Sequence, residues 1–271
     1  MSSLTAERPA SDPTLQIGLV ELAVSDLPRS LDFYERVLGL PLIQRDDERA
    51  LLGPDPAHPL LQLTELTAPT HIPRGSTGLF HVALLHPSRG ALADTVRRVV
   101  QHRWPIDGAS DHGVSEALYL SDPDGLGLEI YVDRPREQWS RPATGKGVEM
   151  FTLPLDTDDL LAQAHPEIIP TIATGTVVGH IHLKVSDVQR ALGFYRDTLG
   201  FGEQARIPSA AFLAAGDYHH HIGLNSWQSL GGQTPPASSP GLRIVEFEVD
   251  GLAAPLALGD PDGNPLRFRA R

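Results

Sequence analysis

The sequence predicts an α+β fold built from four βαβββ modules, of which the fourth is truncated. Two internal repeats predict it. Residues 24–40 read VSDLPRSLDFYERVLGL and residues 185–201 read VSDVQRALGFYRDTLGF, with nine identities at matching positions. The tetrapeptide DPDG also occurs twice, within Ser121–Gly125 and within Gly259–Gly263. Repetition of this length indicates that one supersecondary unit is used several times along the chain.

Each copy of the longer repeat has the pattern of a strand followed by a helix. Ile17–Val24 and Gly179–Val185 are rich in apolar residues, which favours strands. The Ser-Asp pair that follows offers a helix N-cap, and a glycine after the last apolar position is typical of a helix C-terminus. Short strands are predicted next, for example at Arg49–Leu52 and Leu60–Leu66.

A further module lies between the two repeats, and a shortened one ends the chain. The middle module is predicted to have a strand, a helix and a hairpin around its DPDG turn. Its elements are Gly78–Leu85, Arg89–His102, Ala117–Leu120 and Gly127–Val132. The last module, Gly241–Arg271, has a strand at Leu242–Val249 and a DPDG hairpin, with almost no room for a helix between them.

These elements give a division of the chain into modules and linking segments. The modules span about 16–67, 78–133, 178–228 and 241–271. We expect a disordered tail over 1–15, tandem modules 1 and 2 over 16–133, a connector over 134–177, and modules 3 and 4 over 178–271. The connector is rich in proline, with one short helix expected at Asp156–Gln163.

Composition limits the chemistry that the chain can carry out. The 271 residues include 41% apolar residues and a net charge of −12, which suits a globular protein and argues against binding to a nucleic-acid backbone. With no cysteine, any metal site must use His, Asp or Glu. The first 14 residues lack the pattern of a signal peptide, and no apolar run is long enough to span a membrane, so a cytoplasmic location is expected.

The chain combines a strand, a Ser-Asp pair, a helix ending in FY…LG and strands closing on DPDG-x-x-x-E. This combination resembles the vicinal oxygen chelate superfamily. That superfamily includes glyoxalase I, bleomycin-resistance proteins, fosfomycin-resistance enzymes and extradiol dioxygenases. The resemblance implies that modules pair into cupped, barrel-like mixed sheets. It also implies metal ligands on the first strand of a module and on its last strand.

Two modules retain strong ligands at the positions that the resemblance indicates. His81 and Glu129 occupy both positions of module 2, and His180 occupies the first position of module 3. The other such positions hold Leu19, Gln62, Gly223, Ile244 and Arg267. Two histidines and one carboxylate with open coordination positions suit non-haem Fe(II), with Mn(II) as an alternative. Because the ligands are divided, this site requires module 2 to pair with module 3 rather than with module 1.

The division of the ligands between two modules resembles that of extradiol dioxygenases. This resemblance implies that the protein cleaves a small aromatic diol with O₂. The resemblance implies that His221 is an acid/base residue and that Tyr119 and His112 hydrogen-bond the substrate. His219–His221 is expected to lie in a strand, so that His219 and His221 would face one side and His220 the other. His182 shares a strand face with His180 and is an alternative ligand.

Two other functions remain open at this point. A glyoxalase-like lyase or isomerase would use Ni(II), Zn(II) or Mn(II), but it usually has a second carboxylate ligand where this chain has Gly223. A non-catalytic, resistance-type binding protein would typically lack a ligand set altogether. No nucleic-acid or membrane partner is expected, and assembly into a homo-oligomer is left open by the sequence.

Overall fold

The computed structural model describes residues 8–143 and 145–271. Within these residues, sixteen strands form two curved mixed sheets. In chain order, the strands are β1 Gln16–Val24, β2 Leu42–Arg45, β3 Arg49–Leu52, β4 Leu61–Glu65, β5 Gly78–Leu85, β6 Gly108–Asp111, β7 Ser115–Ser121, β8 Gly127–Asp133, β9 Leu153–Pro154, β10 Val177–Lys184, β11 Gly202–Ile207, β12 Ala210–Ala214, β13 Ile222–Asn225, β14 Gly241–Val249, β15 Leu256–Gly259 and β16 Pro265–Ala270.

In the described part of the chain, four α-helices connect the strands. They are α1 Leu27–Leu31, α2 Arg89–Gln101, α3 Thr157–Leu161 and α4 Val188–Gly193. Helices α1 and α4 each continue into a π-helical turn, at Asp32–Val37 and Phe194–Leu199. Two 3₁₀ turns lie at Pro9–Ser11 and Arg136–Gln138. None of these described helices is long and apolar enough to cross a membrane.

The helix ends follow the expected chemistry. The side chains of Asp26 and Asp187 accept backbone N–H hydrogen bonds from the first turns of α1 and α4. Gly39 and Gly200, which end the two π-helical turns, have φ angles of 70° and 95°. Glycine adopts this left-handed conformation without the steric cost that a Cβ would add, so the repeated glycine has a direct backbone reason.

The modules pair in an order that differs from their order in the chain. A seven-stranded sheet, β15-β16-β14-β1-β4-β3-β2, joins modules 1 and 4 through the antiparallel pair β1 and β14. A nine-stranded sheet, β11-β12-β13-β10-β5-β8-β7-β6-β9, joins modules 2 and 3 through the antiparallel pair β5 and β10. The α+β fold of cupped mixed sheets is thus confirmed, and module 2 is the sheet partner of module 3.

The two segments that were expected to be irregular carry more structure than the sequence indicated. Residues 1–7 of the expected disordered tail lie outside the described residues. Within residues 8–15, Pro9–Ser11 forms a 3₁₀ turn, and Ala10 and Leu15 lie in the apolar core. In the connector, β9 adds to the edge strand β6, and α3 packs against α2. Burial of a few apolar side chains holds both segments in place. A short stretch of mostly polar sequence does not show which of its few apolar residues will be buried.

The repeated motifs fasten modules from different sheets to each other. Asp124 of the first DPDG turn accepts hydrogen bonds from the backbone N–H and hydroxyl of Ser25 and pairs with Arg29. The hydroxyl of Tyr34 donates to Asp122 across 3.1 Å. The Ser, Arg and Tyr of the helical repeat in module 1 therefore recognise the DPDG turn of module 2.

Modules 3 and 4 repeat this contact. Asp262 of the second DPDG turn accepts from the Ser186 hydroxyl at 2.6 Å and from Arg190 at 2.7 Å. The Tyr195 hydroxyl donates to Asp260 at 3.0 Å. The repeated serine and the DPDG aspartates therefore form two equivalent clamps between the sheets. The sequence indicates the serine only as part of a helix cap and the aspartates only as turn residues.

Removing one clamp carboxylate should destabilise the fold. We expect Asp124→Ala to lower the free energy of unfolding by about 2–3 kcal/mol, because the substitution leaves the Ser25 N–H and the Arg29 guanidinium without their charged acceptor. Arg29→Ala should cost less than about 1 kcal/mol, since the Arg29 side chain is 49% exposed. Urea unfolding of both variants checks this, and equal losses would contradict a clamp centred on the buried carboxylate.

Candidate metal centre and active site

Three neighbouring strands carry the candidate ligands. His81 lies on β5, at the centre of the nine-stranded sheet. His180 lies on β10, the antiparallel neighbour of β5, and Glu129 lies on β8, its parallel neighbour. The side chains of all three are buried, and they reach the same point in the cup of the sheet. The sheet topology thus brings together the residues that the sequence predicts as ligands.

The three donor atoms form a nearly equilateral triangle. His81 Nε2 lies 3.0 Å from Glu129 Oε2, and His180 Nε2 lies 3.1 Å from the same oxygen. The two Nε2 atoms are 3.3 Å apart. Ligands about 2.1 Å from one metal ion and at right angles to each other are about 3.0 Å apart. The spacing of the triangle therefore fits three ligands that could hold one divalent ion.

The charges at the triangle also fit a cation. Burial lowers the pKa of His180 to about 4, although the charge of Glu129 opposes this shift, so the imidazole is neutral at pH 7. Burial would raise the pKa of Glu129, but His180 and His81 hold it well below its ordinary value. A neutral imidazole and an ionised carboxylate are the forms that bind metal. The residues present therefore fit a divalent ion.

His182, the alternative ligand, occupies a different place. Its ring packs against Phe80 and Trp227, with centroids 5.0 and 5.7 Å away, and its Nε2 has no hydrogen-bonding partner among the described residues. It is absent from the close triangle of donors. A Cβ on Gly223 would lie 2.7 Å from the His182 ring, so this glycine makes room for His182. A second carboxylate, as a glyoxalase-like site would need, does not fit at Gly223.

A cavity of about 400 Å³ opens over the triangle. Its walls are largely apolar and come from both modules and from the connector. The apolar lining consists of Phe80, Val114, Met150, Phe151, Ile207, Phe212 and Trp227. Besides the three candidate ligands, the polar lining consists of Ser110, His112, Ser115, Tyr119, Thr152, His182 and His220. Among the residues that the structure describes, no Lys or Arg lines the cavity.

Tyr119 and His112 lie together at this cavity, as the sequence predicts. Tyr119 is opposite Glu129 in the antiparallel pair of β7 and β8. Its hydroxyl lies 2.7 Å from His112 Nε2, while His112 Nδ1 lies 2.7 Å from the Phe151 carbonyl oxygen. Because that carbonyl can only accept, His112 carries its proton on Nδ1 and Tyr119 donates to Nε2. Burial and the charge of Glu129 raise the pKa of Tyr119, which keeps the phenol protonated.

The structure places His220, rather than His221, at the candidate site. His219–His221 precedes β13 instead of lying within it, so the alternation of a strand does not apply. The His220 ring lies 4.1 Å from the His180 ring and lines the cavity. His221 lines a separate cavity of about 350 Å³, and its Nδ1 accepts from the Ala215 N–H. The expectation that the run lies in a strand is therefore corrected.

Sequence reasoning missed the cavity walls contributed by the connector. Met150, Phe151 and Thr152 line the cavity because β9, which follows them directly, pairs with β6 of module 2. The available signal was a pair of large apolar residues in an otherwise polar, proline-rich segment. Phe80, beside the candidate ligand His81, was also missed, because strict alternation would have turned it away from the site.

Sequence relatives of this chain include a dioxygenase and a lyase. The chain is 44% identical over 230 residues to a catechol-2,3-dioxygenase of Bacillus subtilis (strain 168), which covers 83% of this chain and 80% of that protein. It is 26% identical over 125 residues to a lactoylglutathione lyase of Escherichia coli O157:H7, which covers 42% of this chain and 89% of that protein.

Solved structures share the fold. A crystal structure of a Bacillus subtilis protein aligns over 94% of this chain and 84% of its own, with a TM-score of 0.65 and 14% identity. Glyoxalase I from Zea mays aligns over 94% of this chain and 92% of its own, with a TM-score of 0.57 and 16% identity. At these identities the likeness concerns the fold alone.

Residues 16–130 and 177–254 match the sequence pattern of one superfamily. These ranges cover most of modules 1, 2 and 3 and the first strand of module 4. The two curved mixed sheets described above agree with that match. The chain therefore belongs to the Glyoxalase/Bleomycin resistance protein/Dioxygenase superfamily.

Proposed function

We propose that this protein is an extradiol ring-cleaving dioxygenase that acts on a catechol-type aromatic diol and O₂, with Fe(II) held by His81, Glu129 and His180. The observation that carries the proposal is the triangle of donor atoms with edges of 3.0, 3.1 and 3.3 Å beneath an apolar cavity. The similarity to a catechol-2,3-dioxygenase over most of the chain supports it. Mn(II) has the same ligand preferences and is the alternative ion.

Bound Fe(II) would supply Lewis acidity that eases ionisation of the diol and the redox chemistry that the reaction with O₂ needs. The residues of the chain then have separate tasks. His220, beside His180 at the cavity wall, is placed to accept a proton from a diol hydroxyl at Nε2. The Tyr119 hydroxyl, fixed by His112, is placed to hydrogen-bond the diol. The apolar walls exclude water from the reacting groups.

The cavity lining also indicates the charge of the substrate. With no Lys or Arg among its described lining residues, the cavity offers no partner to a carboxylate on the substrate. Burying an unpaired carboxylate costs several kcal/mol, and the ionised Glu129 would add repulsion. Trp227 and Ile207, about half exposed, provide apolar surface for a substituent. We therefore propose neutral catechols, unsubstituted or with an apolar substituent, as the substrate class.

A substrate panel tests the function and the charge preference together. The protein should be purified without oxygen, loaded with Fe(II) or with Mn(II), and given catechol, 4-methylcatechol and 3,4-dihydroxybenzoate. We expect a yellow ring-fission product from the two neutral diols, with kcat/KM at least about 100-fold lower for the carboxylated one, which corresponds to roughly 3 kcal/mol. An iron-loaded protein that yields no ring-fission product from any diol would refute the proposal.

A further inference from the structure

A chain of hydrogen bonds leads from the cavity wall to the protein surface. His220 Nδ1, behind the face that lines the cavity, lies 2.8 Å from His219 Nδ1. His219 is fully buried, and its Nε2 lies 2.9 Å from Asp133 Oδ1. Asp133 is the last residue of β8, the strand that carries Glu129, and its side chain is 27% exposed. Two residues, His219 and Asp133, thus link the proposed proton acceptor His220 to solvent.

The direction of each hydrogen bond in this series follows from the Asp133 carboxylate at its outer end. An ionised carboxylate can only accept, so His219 must carry a proton on Nε2. In a neutral imidazole the other nitrogen is then unprotonated, so His219 Nδ1 accepts, and His220 Nδ1 must donate to it. His220 in turn carries its proton on Nδ1, which leaves a lone pair on Nε2. Within the described residues His220 Nε2 makes no hydrogen bond, and the ring faces the cavity.

The carboxylate and the linking imidazole are held rigidly. Tyr218 donates to Asp133 Oδ1 at 3.2 Å, and its own oxygen lies 2.7 Å from the Tyr131 hydroxyl. Since the Tyr218 proton is directed at the carboxylate, Tyr131 is the donor between the two phenols. The His219 ring packs against Tyr218 and Trp139, with centroids 4.1 and 5.4 Å away. This packing fixes the plane of His219 and hence the direction of its Nδ1.

We propose that Asp133 and His219 are positioning residues that hold His220 as its Nδ1–H tautomer, so that Nε2 presents an unprotonated nitrogen to the substrate cavity. Asp133 acts on His219, and His219 acts on His220, without either touching the substrate. The other tautomer of His220 would direct an N–H into the cavity and could not accept a proton there. This inference deepens the proposed function, but the tautomer is a property of the metal-free protein and can be measured without catalysis.

The tautomer can be measured directly by NMR. The protein is labelled with ¹⁵N-histidine, kept free of metal, and recorded in long-range ¹H–¹⁵N correlation spectra, with the signals of His220 identified by their loss in His220→Gln. We expect a protonated Nδ1 and an unprotonated Nε2 for His220 in the unsubstituted protein. A protonated Nε2 would overturn the proposal, and this result stands whether or not the protein cleaves any diol.

Two substitutions of His219 separate positioning from mere packing. His219→Phe keeps a ring but removes the acceptor, so we expect His220 to populate the Nε2–H tautomer and kcat to fall on the order of 100-fold, with KM little changed. His219→Asn places Oδ1 where Nδ1 lies, which should restore the Nδ1–H signal of His220 and most of kcat. Equal loss of kcat and equal tautomer shifts in both variants would overturn the proposal. If His219→Phe does not fold, the spectrum of the unsubstituted protein decides alone.

Discussion

Replacing Glu129 with glutamine should remove Fe(II) binding and ring cleavage together. The substitution keeps the size of the side chain but takes away the negative charge of the triangle, in which Glu129 Oε2 lies 3.0 Å from His81 Nε2 and 3.1 Å from His180 Nε2. Loss of a group that only supports a ligand typically costs about 10–100-fold in metal affinity or activity, and loss of the ligand itself should cost more. We expect at least about 1,000-fold lower kcat/KM.

Iron content and activity should be measured on the same preparation, together with thermal unfolding of the metal-free protein. Glu137→Gln is the matched control, because Glu137 is exposed and lies outside the cavity. His180→Ala should abolish iron binding too, but it leaves a void in the buried sheet and should lower stability by a few kcal/mol. An active Glu129→Gln variant with a full complement of iron would contradict the assignment of the metal centre.

The parts of this site that follow from the sequence are those fixed by regular strands. The convergence of His81, Glu129 and His180 could be expected from the superfamily resemblance, which places each at a constant offset from a recognisable turn or helix start, and a strand keeps such an offset in space. Several strands and helices were predicted closely; α2, for example, ends one residue earlier than expected. The clamps between sheets were not predicted, since a turn aspartate has the same sequence pattern with or without a distant partner.

The parts that could not be predicted depend on irregular backbone. His219–His221 precedes β13, and there the direction of each ring is set by tertiary contacts: His219 to Asp133, and His221 to the N–H of Ala215. The two-residue alternation of a strand does not predict the direction of side chains in such a segment. The connector presents the same difficulty, because Phe151 reaches the cavity only through the pairing of β9 with β6, a contact between segments far apart in the chain.

His220→Ala should reduce kcat by about 100- to 10,000-fold, the usual contribution of a well-placed general base, while iron content stays unchanged. The KM for catechol should change little, because the apolar walls and Tyr119 remain in place. His221→Asn is the matched comparison. Asn can offer an oxygen to the Ala215 N–H that His221 Nδ1 now accepts, so the local backbone should be preserved. We expect close to full kcat for this variant.

The pair of variants decides which neighbouring histidine serves the reaction. Since the two residues are adjacent in the chain but line separate cavities, a general disturbance of the segment would affect both variants alike. A loss confined to His220→Ala requires a local role beside His180. Added imidazole should then restore part of kcat, because the truncated side chain leaves room next to a cavity of about 400 Å³. The reverse result, with kcat lost in His221→Asn and kept in His220→Ala, would assign the acid/base role to His221 and leave Asp133 and His219 without a catalytic purpose.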